Sequence, residues 1–246
     1  MQKERPFVIT IAGFDPSGGA GLLSDIKTLE QVKVMGLGVC TALTLQTASQ
    51  CLSLEWRSID EITKEINVLM SHYPVSVVKI GIVKDAGFLG EIIKAVKVCN
   101  PDAKIIWDPV LKSTSEFTFF NLETLPILRN IIDKISLITP NYNEYRILKD
   151  NGLLSNGNSC SVLIKGGHRE DCLGTDVLVE GRNEILLEPT NDDFIYYPKH
   201  GSGCVLSSAI AGELAKGERL EIACRKGKLY IEQFLKSSPY LLGTHS

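Results

Sequence analysis

The sequence predicts an α/β fold, a mostly parallel central sheet with helices on both faces, in one domain over residues 1–246. Three observations carry that expectation. Short apolar, β-branched runs alternate with amphipathic helical stretches along nearly the whole chain. Glycine-rich or polar residues follow the carboxyl ends of those runs, the rim where open α/β sheets place ligands. No repeat, linker-like run or shift in composition divides the 246 residues, a length that suits one large domain.

In chain order, Phe7–Ala12 is apolar and β-branched and is cut by Gly13, the pattern of a buried strand. The loop Gly13-Phe-Asp-Pro-Ser-Gly-Gly-Ala-Gly21 follows, then a helical stretch, Leu22–Met35. Leu37–Thr44 predicts a strand ending in the polar run Leu45-Gln46-Thr47-Ala48-Ser49, Ile59–Met70 a helix, and Val75–Ile80 a strand closed by Gly81. Phe88–Val98 predicts a helix, and Lys104–Trp107 a strand that delivers Asp108-Pro109-Val110 to the same rim. Leu122–Ile131 predicts a helix and Ser136–Thr139 a strand, after which Pro140-Asn141-Tyr-Asn-Glu144 opens a helix to about Leu148. Leu153–Asn158 is the loosest internal stretch. Cys160–Ile164 predicts a strand ending in Lys165-Gly166-Gly167-His168; Gly174–Val179 and Glu184–Leu187 form a hairpin around Glu180–Asn183. Lys199-His-Gly-Ser-Gly-Cys204 then opens a helix through Ala215, and Leu220–Leu235 is the last helix.

Composition narrows the function. Hydrophobic residues at 44% and charged residues at 22% are globular values, and a net charge of −3 argues against a nucleic-acid-binding surface. No apolar run approaches the length of about 20 residues that spans a bilayer, and Met1–Pro6 lacks the layout of a signal peptide. Seven cysteines show no paired CxxC spacing, and the four histidines are scattered. A cytoplasmic protein, free of membrane and nucleic acid, is the expectation.

The glycine loop after the first strand has phosphate-loop grammar but matches neither standard pattern. Asp15 stands where the dinucleotide fingerprint has its second glycine, and no Gly-Lys-Ser/Thr completes a P-loop. The glycine-bracketed helix start at Gly201–Cys204 offers unpartnered N–H groups and a positive end to an oxyanion or phosphate. The same field would lower the thiol pKa of Cys204 in the first turn. An ordinary helix start around an inert buried cysteine fits that stretch equally well. No serine sits in a GxSxG elbow. Strand-end carboxylates at Asp108 and Glu144, with Lys165 and an anion-binding helix start, suit Mg²⁺-assisted phosphoryl transfer, which needs positioning and charge neutralisation more than a strong nucleophile. Asn141 and Glu144 also fit a plain helix cap, and Lys165 a solvated strand end.

Seven segments together resemble the hydroxymethylpyrimidine/phosphomethylpyrimidine kinases of thiamine biosynthesis, in the ribokinase-like superfamily. They are Ile11–Lys27, Leu45-Gln46-Thr47, Val78-Lys-Ile-Gly81, Asp108-Pro-Val110, Leu137–Glu144, Leu163–His168 and His200–Cys204, in the family's order. The resemblance implies a three-layer ribokinase-like fold and ATP-dependent phosphorylation of 4-amino-5-hydroxymethyl-2-methylpyrimidine and of its monophosphate to the diphosphate.

It further implies that Gly13, Asp25, Gln46, Ile82 and Val110 line the pyrimidine pocket, with Gln46 hydrogen-bonding the ring. Gly201, Ser202, Gly203 and Cys204 would form the catalytic anion hole, Asp108 and Glu144 would organise Mg²⁺, and Asn141, Lys165 and Gly203 would meet ATP. Many relatives carry aspartate where this chain has Cys204; a near-neutral thiol there would spare an already phosphorylated acceptor from repulsion. Ile82 replaces the methionine usual at its place, and Leu111-Lys-Ser-Thr-Ser115 lacks a glycine common in the segment after the aspartate. The superfamily often forms homodimers. A pyridoxal/pyridoxine kinase is the alternative, because that ring also carries a hydroxymethyl group.

Overall fold

A computed structural model describes residues 4–112, 117–154, 159–167, 174–190 and 195–246. Ser113–Ser115, residues 155–158 of the loose stretch, and His168 of the Lys165–His168 segment lie outside the described residues. The strands are β1 (Phe7–Phe14), β2 (Met35–Gln46), β3 (Cys51–Trp56), β4 (Val75–Ile80), β5 (Lys104–Trp107), β6 (Leu137–Ile138), β7 (Ser161–Ile164), β8 (Asp176–Glu180) and β9 (Asn183–Leu187). They form one sheet in the order β3-β2-β1-β4-β5-β6-β7-β8-β9. From β2 to β7 every neighbouring pair is parallel; β3, β8 and β9 run antiparallel at the two edges.

Among the described residues the α-helices are α1 (Gly21–Gln31), α2 (Ile59–His72), α3 (Ala86–Cys99), α4 (Tyr142–Asp150), α5 (Ser202–Ala215) and α6 (Leu220–Lys236). Alternation along the strands assigns each side chain to a layer. Ile9 and Ile11 of β1, Val78 and Ile80 of β4, and Ile105 and Trp107 of β5 pack into a core with α2 and α3. Val8, Val77, Ile106 and Leu137, one register away, pack with α1, α5 and α6. Helix α5 is apolar or small all round, and Val205–Leu214 is buried throughout, so it lies inside the second layer rather than on its surface. Residue 212 must be small there: a Cβ on Gly212 would lie 2.6 Å from Val32 Cγ2.

Three local expectations are corrected. Helix α1 stops at Gln31, not Met35; Lys33 turns the chain with a φ of 63°, and Met35 already pairs with Phe7 in the sheet. Leu122–Asn130 is 3₁₀ helix rather than α-helix, because Pro126 has no N–H to give and its ring crowds the carbonyl four residues back. Strand β3 was not anticipated: it is a short edge strand, and its signal is weak because its neighbour covers one side only.

Candidate active site

The parallel strands end on one rim, and their order lays out the polar residues across it. Gln46 closes β2, Gly13 is the next-to-last residue of β1, Ile82 follows β4, Asp108 follows β5, Asn141 and Glu144 follow β6, and Lys165 follows β7. The first three strands form one half of the site and the last three the other.

In the first half, a Cβ on Gly13 would lie 2.4 Å from Ile82 Cδ1, so glycine and isoleucine meet as a floor. Thr41 Oγ1 donates to the Ile82 carbonyl at 3.0 Å and fixes that residue. Gln46 is half-buried beside Cys51, and Val110 is half-buried with its amide on the Asp108 carbonyl at 2.9 Å. Asp25 lies deeper than a pocket lining. It is fully buried; its Oδ2 takes Lys79 Nζ at 2.8 Å and the Thr10 hydroxyl, and its Oδ1 takes Ser208 Oγ at 2.8 Å.

The second half is built around Asp108, also fully buried. Its Oδ1 accepts from Lys165 Nζ at 2.7 Å and Thr139 Oγ1 at 3.0 Å, and Ser207 Oγ lies 3.4 Å from Oδ2. Burial acts to raise the Asp108 carboxyl, but the Lys165 and Lys79 cations outweigh it and hold it below the usual range. Glu144 is the third residue of α4 and closes a capping box with Asn141 (2.8 Å and 2.9 Å), while its other oxygen takes the Leu111 amide at 3.3 Å. Burial pushes Glu144 up to about 7, against the pull of Lys165. Cap and site residue are therefore the same group. A parallel bridge joins Asn141 to Lys165 and ties the start of α4 to the end of β7.

Helix α5 brings its amino end onto this cluster. Gly201 is its N-cap, with φ 73°, and a Cβ there would lie 2.1 Å from the Gly19 carbonyl. Ser202 begins the helix; a Cβ on Gly203 would lie 3.0 Å from Lys165 Nζ and 3.6 Å from Asp108 Oδ2. The two glycines are needed for different reasons, which separates their variants. Gly201→Ala is expected to lose about 2–3 kcal/mol through strain and collision, whereas Gly203→Ala should fold near wild-type stability. Its methyl group crowds the Lys165 ammonium, so turnover drops roughly tenfold or more. Thermal midpoints and turnover of the two variants check this.

Cys204 receives a hydrogen bond from the Gly21 amide, which ties it to the glycine loop. The expected lowering of its pKa is not found. Burial pushes the thiol up to about 11, Asp25 and Asp108 add to that, and Lys79 only partly opposes them. A thiol raised that far stays protonated at neutral pH. A helix start lowers a thiol pKa where water and cations reach it; here two carboxylates share the pocket.

The glycine loop is organised by Asp15. It accepts from the Ser17 amide (2.8 Å), Ser17 Oγ (2.9 Å) and the Ala20 amide (2.9 Å), and pairs with His200 Nε2 at 2.8 Å. His200 thereby fastens the loop to the turn before α5, and its own amide donates to the Leu241 carbonyl at 2.9 Å. Burial acts to raise the Asp15 carboxyl, but these hydrogen bonds outweigh it and bring it down to about 2. A carboxyl with a lowered folded-state pKa adds stability above its unfolded value near 3.8, lost as pH falls toward 2. Asp15→Asn should therefore unfold on the order of 1–2 kcal/mol more easily at pH 7, with the difference vanishing toward pH 2. Urea titrations across that range measure it.

Comparison with known proteins follows the same lines. A family profile described as phosphomethylpyrimidine kinase matches residues 15–246. The chain belongs to the phosphomethylpyrimidine kinase family. It is 30% identical to the hydroxymethylpyrimidine/phosphomethylpyrimidine kinase of Aquifex aeolicus, with 95% of each chain covered. A probable thiamine biosynthetic bifunctional enzyme of rice is 31% identical, and there the match covers 96% of this chain but 45% of the relative. The phosphomethylpyrimidine kinase of Clostridium difficile superposes with a TM-score of 0.74 at 29% identity, covering 92% of this chain and 98% of that one. An ADP complex of Bacillus subtilis pyridoxal kinase superposes at 0.79 with 25% identity, covering 95% and 92%.

The ribokinase-like expectation is thus met, and the chain is a phosphotransferase of this family. Several residues of this kinase's site carried no role in the sequence reading. Lys79 held the readiest signal: one cation among the valines and isoleucine of Val75–Ile80 demands a buried counter-charge, here Asp25. Thr10, Thr139, Ser207 and Ser208 gave none, since a small hydroxyl in a strand or helix looks alike whether or not it meets a carboxylate.

Proposed function

We propose that this kinase uses ATP to phosphorylate 4-amino-5-hydroxymethyl-2-methylpyrimidine on its hydroxymethyl group, then phosphorylates the monophosphate to the diphosphate, for thiamine biosynthesis. The observation that carries the reading is the placement of the Lys165–Asp108 pair against Gly203 at the start of α5, with the Gly13–Ile82 floor reached through Gly21 and Cys204. The floor suits a flat ring. The helix start and Lys165 suit the charge of a phosphoryl group in transfer. In this reading Gly13, Gln46, Ile82 and Val110 line the ring pocket, and Asp25 supports it from beneath through Lys79. Gly201, Ser202, Gly203 and Cys204 form the anion hole, and Asn141 and Lys165 meet the nucleotide.

Among the described residues no cluster of three or more His, Cys, Asp or Glu could hold a metal ion alone. Asp108 and Glu144 already accept hydrogen bonds. That donor set fits Mg²⁺ delivered with the nucleotide, mostly ligated by phosphate and water, with the two carboxylates holding it through its water. Bound there, Mg²⁺ would neutralise phosphate charge. No helix among the described residues is long and apolar enough to cross a membrane, and a cytoplasmic homodimer belongs to the same reading. The β2–β3 ribbon extends past the end of β1 and exposes Leu43, Leu45 and Leu52 by half or more; a second copy would cover them. Sedimentation at micromolar concentration should give the mass of two chains, and Leu45→Glu should give one.

Mass detection of products from the pyrimidine alcohol and ATP tests the central claim. Monophosphate followed by diphosphate is expected. Faster turnover of pyridoxal than of the pyrimidine would put the vitamin B6 kinase reading in its place.

A further inference from the structure

Beside the strand end that carries Lys165 lies a second buried ion pair. Asp176, the first residue of β8, and Lys228, on α6, are each about nine-tenths or more buried and lie 3.1 Å apart. Their remaining bonds run to the main chain just after Lys165. Asp176 Oδ1 accepts from the Gly166 amide at 2.8 Å, and Lys228 Nζ donates to the Gly174 carbonyl. The Gly174 amide donates in turn to the Gly166 carbonyl at 3.2 Å. The chain therefore leaves β7 at Gly166 and returns at Gly174 through a closed neck. The neck is so tight that a Cβ on Gly166 would lie 1.9 Å from the Thr175 carbonyl. Among the described residues, a Cβ on Gly167 would meet nothing within 4 Å.

A buried ion pair is a poor way to gain stability, since an apolar pair of similar volume often does as well. What this pair supplies is geometry: two charges from two elements grip the two ends of one neck, immediately behind the lysine that neutralises Asp108. We propose that Asp176 and Lys228 are positioning residues for the nucleotide, holding the Lys165–Gly167 strand end in its binding geometry before ATP arrives. The proposal rests on the ATP-dependent reading of the site. It predicts an effect on one substrate and not the other, because Gly13, Gln46 and Ile82 lie across the rim, on β1, on β2 and just after β4.

The test measures calorimetric affinity for a non-hydrolysable ATP analogue and, separately, for the pyrimidine alcohol. Lys228→Met should weaken the analogue about tenfold and change the alcohol by less than about twofold. Asp176→Asn keeps an acceptor for the Gly166 amide and should weaken the analogue in the same direction by a smaller factor. In the ligand-free wild type, the Gly166 and Gly174 amides should exchange slowly with deuterium. Folded variants with wild-type analogue affinity, or with equal losses for both ligands, would overturn the proposal; so would rapid exchange at those two amides. A wild type that binds the analogue and shows these effects, yet phosphorylates nothing, sinks the kinase reading and leaves the positioning role standing.

Discussion

Lys165→Met is expected to lower turnover about 100- to 1,000-fold, the range seen when one preorganised donor to a developing charge is removed. The reason is local. Lys165 Nζ lies 2.7 Å from Asp108 and beside Gly203, where the helix start and the ammonium can share one phosphoryl group. Removing it also strands Asp108, fully buried, with only hydroxyl donors and the more distant Lys79. Breaking a buried pair by deleting one member costs ~3–5 kcal/mol, and the low end applies where other donors remain. The double variant Lys165→Met/Asp108→Leu separates these effects: it should recover most of the stability and none of the turnover. Urea midpoints and initial rates report the two quantities. A single variant within tenfold of wild-type turnover would remove Lys165 from the transfer step.

Cys204→Asp should split the two phosphorylations. The aspartate adds a negative charge to a pocket that already holds Asp25 and Asp108 against Lys79 and Lys165. The pyrimidine alcohol is neutral, so its phosphorylation should persist. The monophosphate is an anion, and two like charges ~5–6 Å apart at an effective dielectric of ~20 repel by ~3 kcal/mol, about 100-fold in rate. Separate quantitation of mono- and diphosphate over time distinguishes the steps. An undiminished second step would refute the charge argument. The wild-type thiol, raised to about 11, serves it by being neutral; this replaces the expectation of a lowered thiol pKa. Alkylation of Cys204 should accordingly be slow at pH 7 and accelerate as pH rises toward 11.

The sequence by itself determined the class of fold and which polar and glycine residues stand at the strand ends. Strand–helix alternation survives reading one residue at a time, because period 2 and period 3.6 are local properties. Glycine-rich and charged strand ends are local as well, so Gly13, Gln46, Asp108, Glu144, Lys165 and Gly201–Cys204 could be named before their distances were known. Element ends were less legible. The end of α1 depends on Lys33 and on sheet pairing by Met35, a contact with Phe7 far along the chain.

Only the tertiary structure decided which charges face one another. Asp25 lies 54 residues from Lys79, Asp108 lies 57 from Lys165, and Asp15 lies 185 from His200. No local pattern records such pairs. The same separation explains Cys204, whose place on a helix favours a lowered pKa and whose burial beside two carboxylates raises it. A helix terminus is written in sequence; the dielectric around it is set by whatever the rest of the chain packs there.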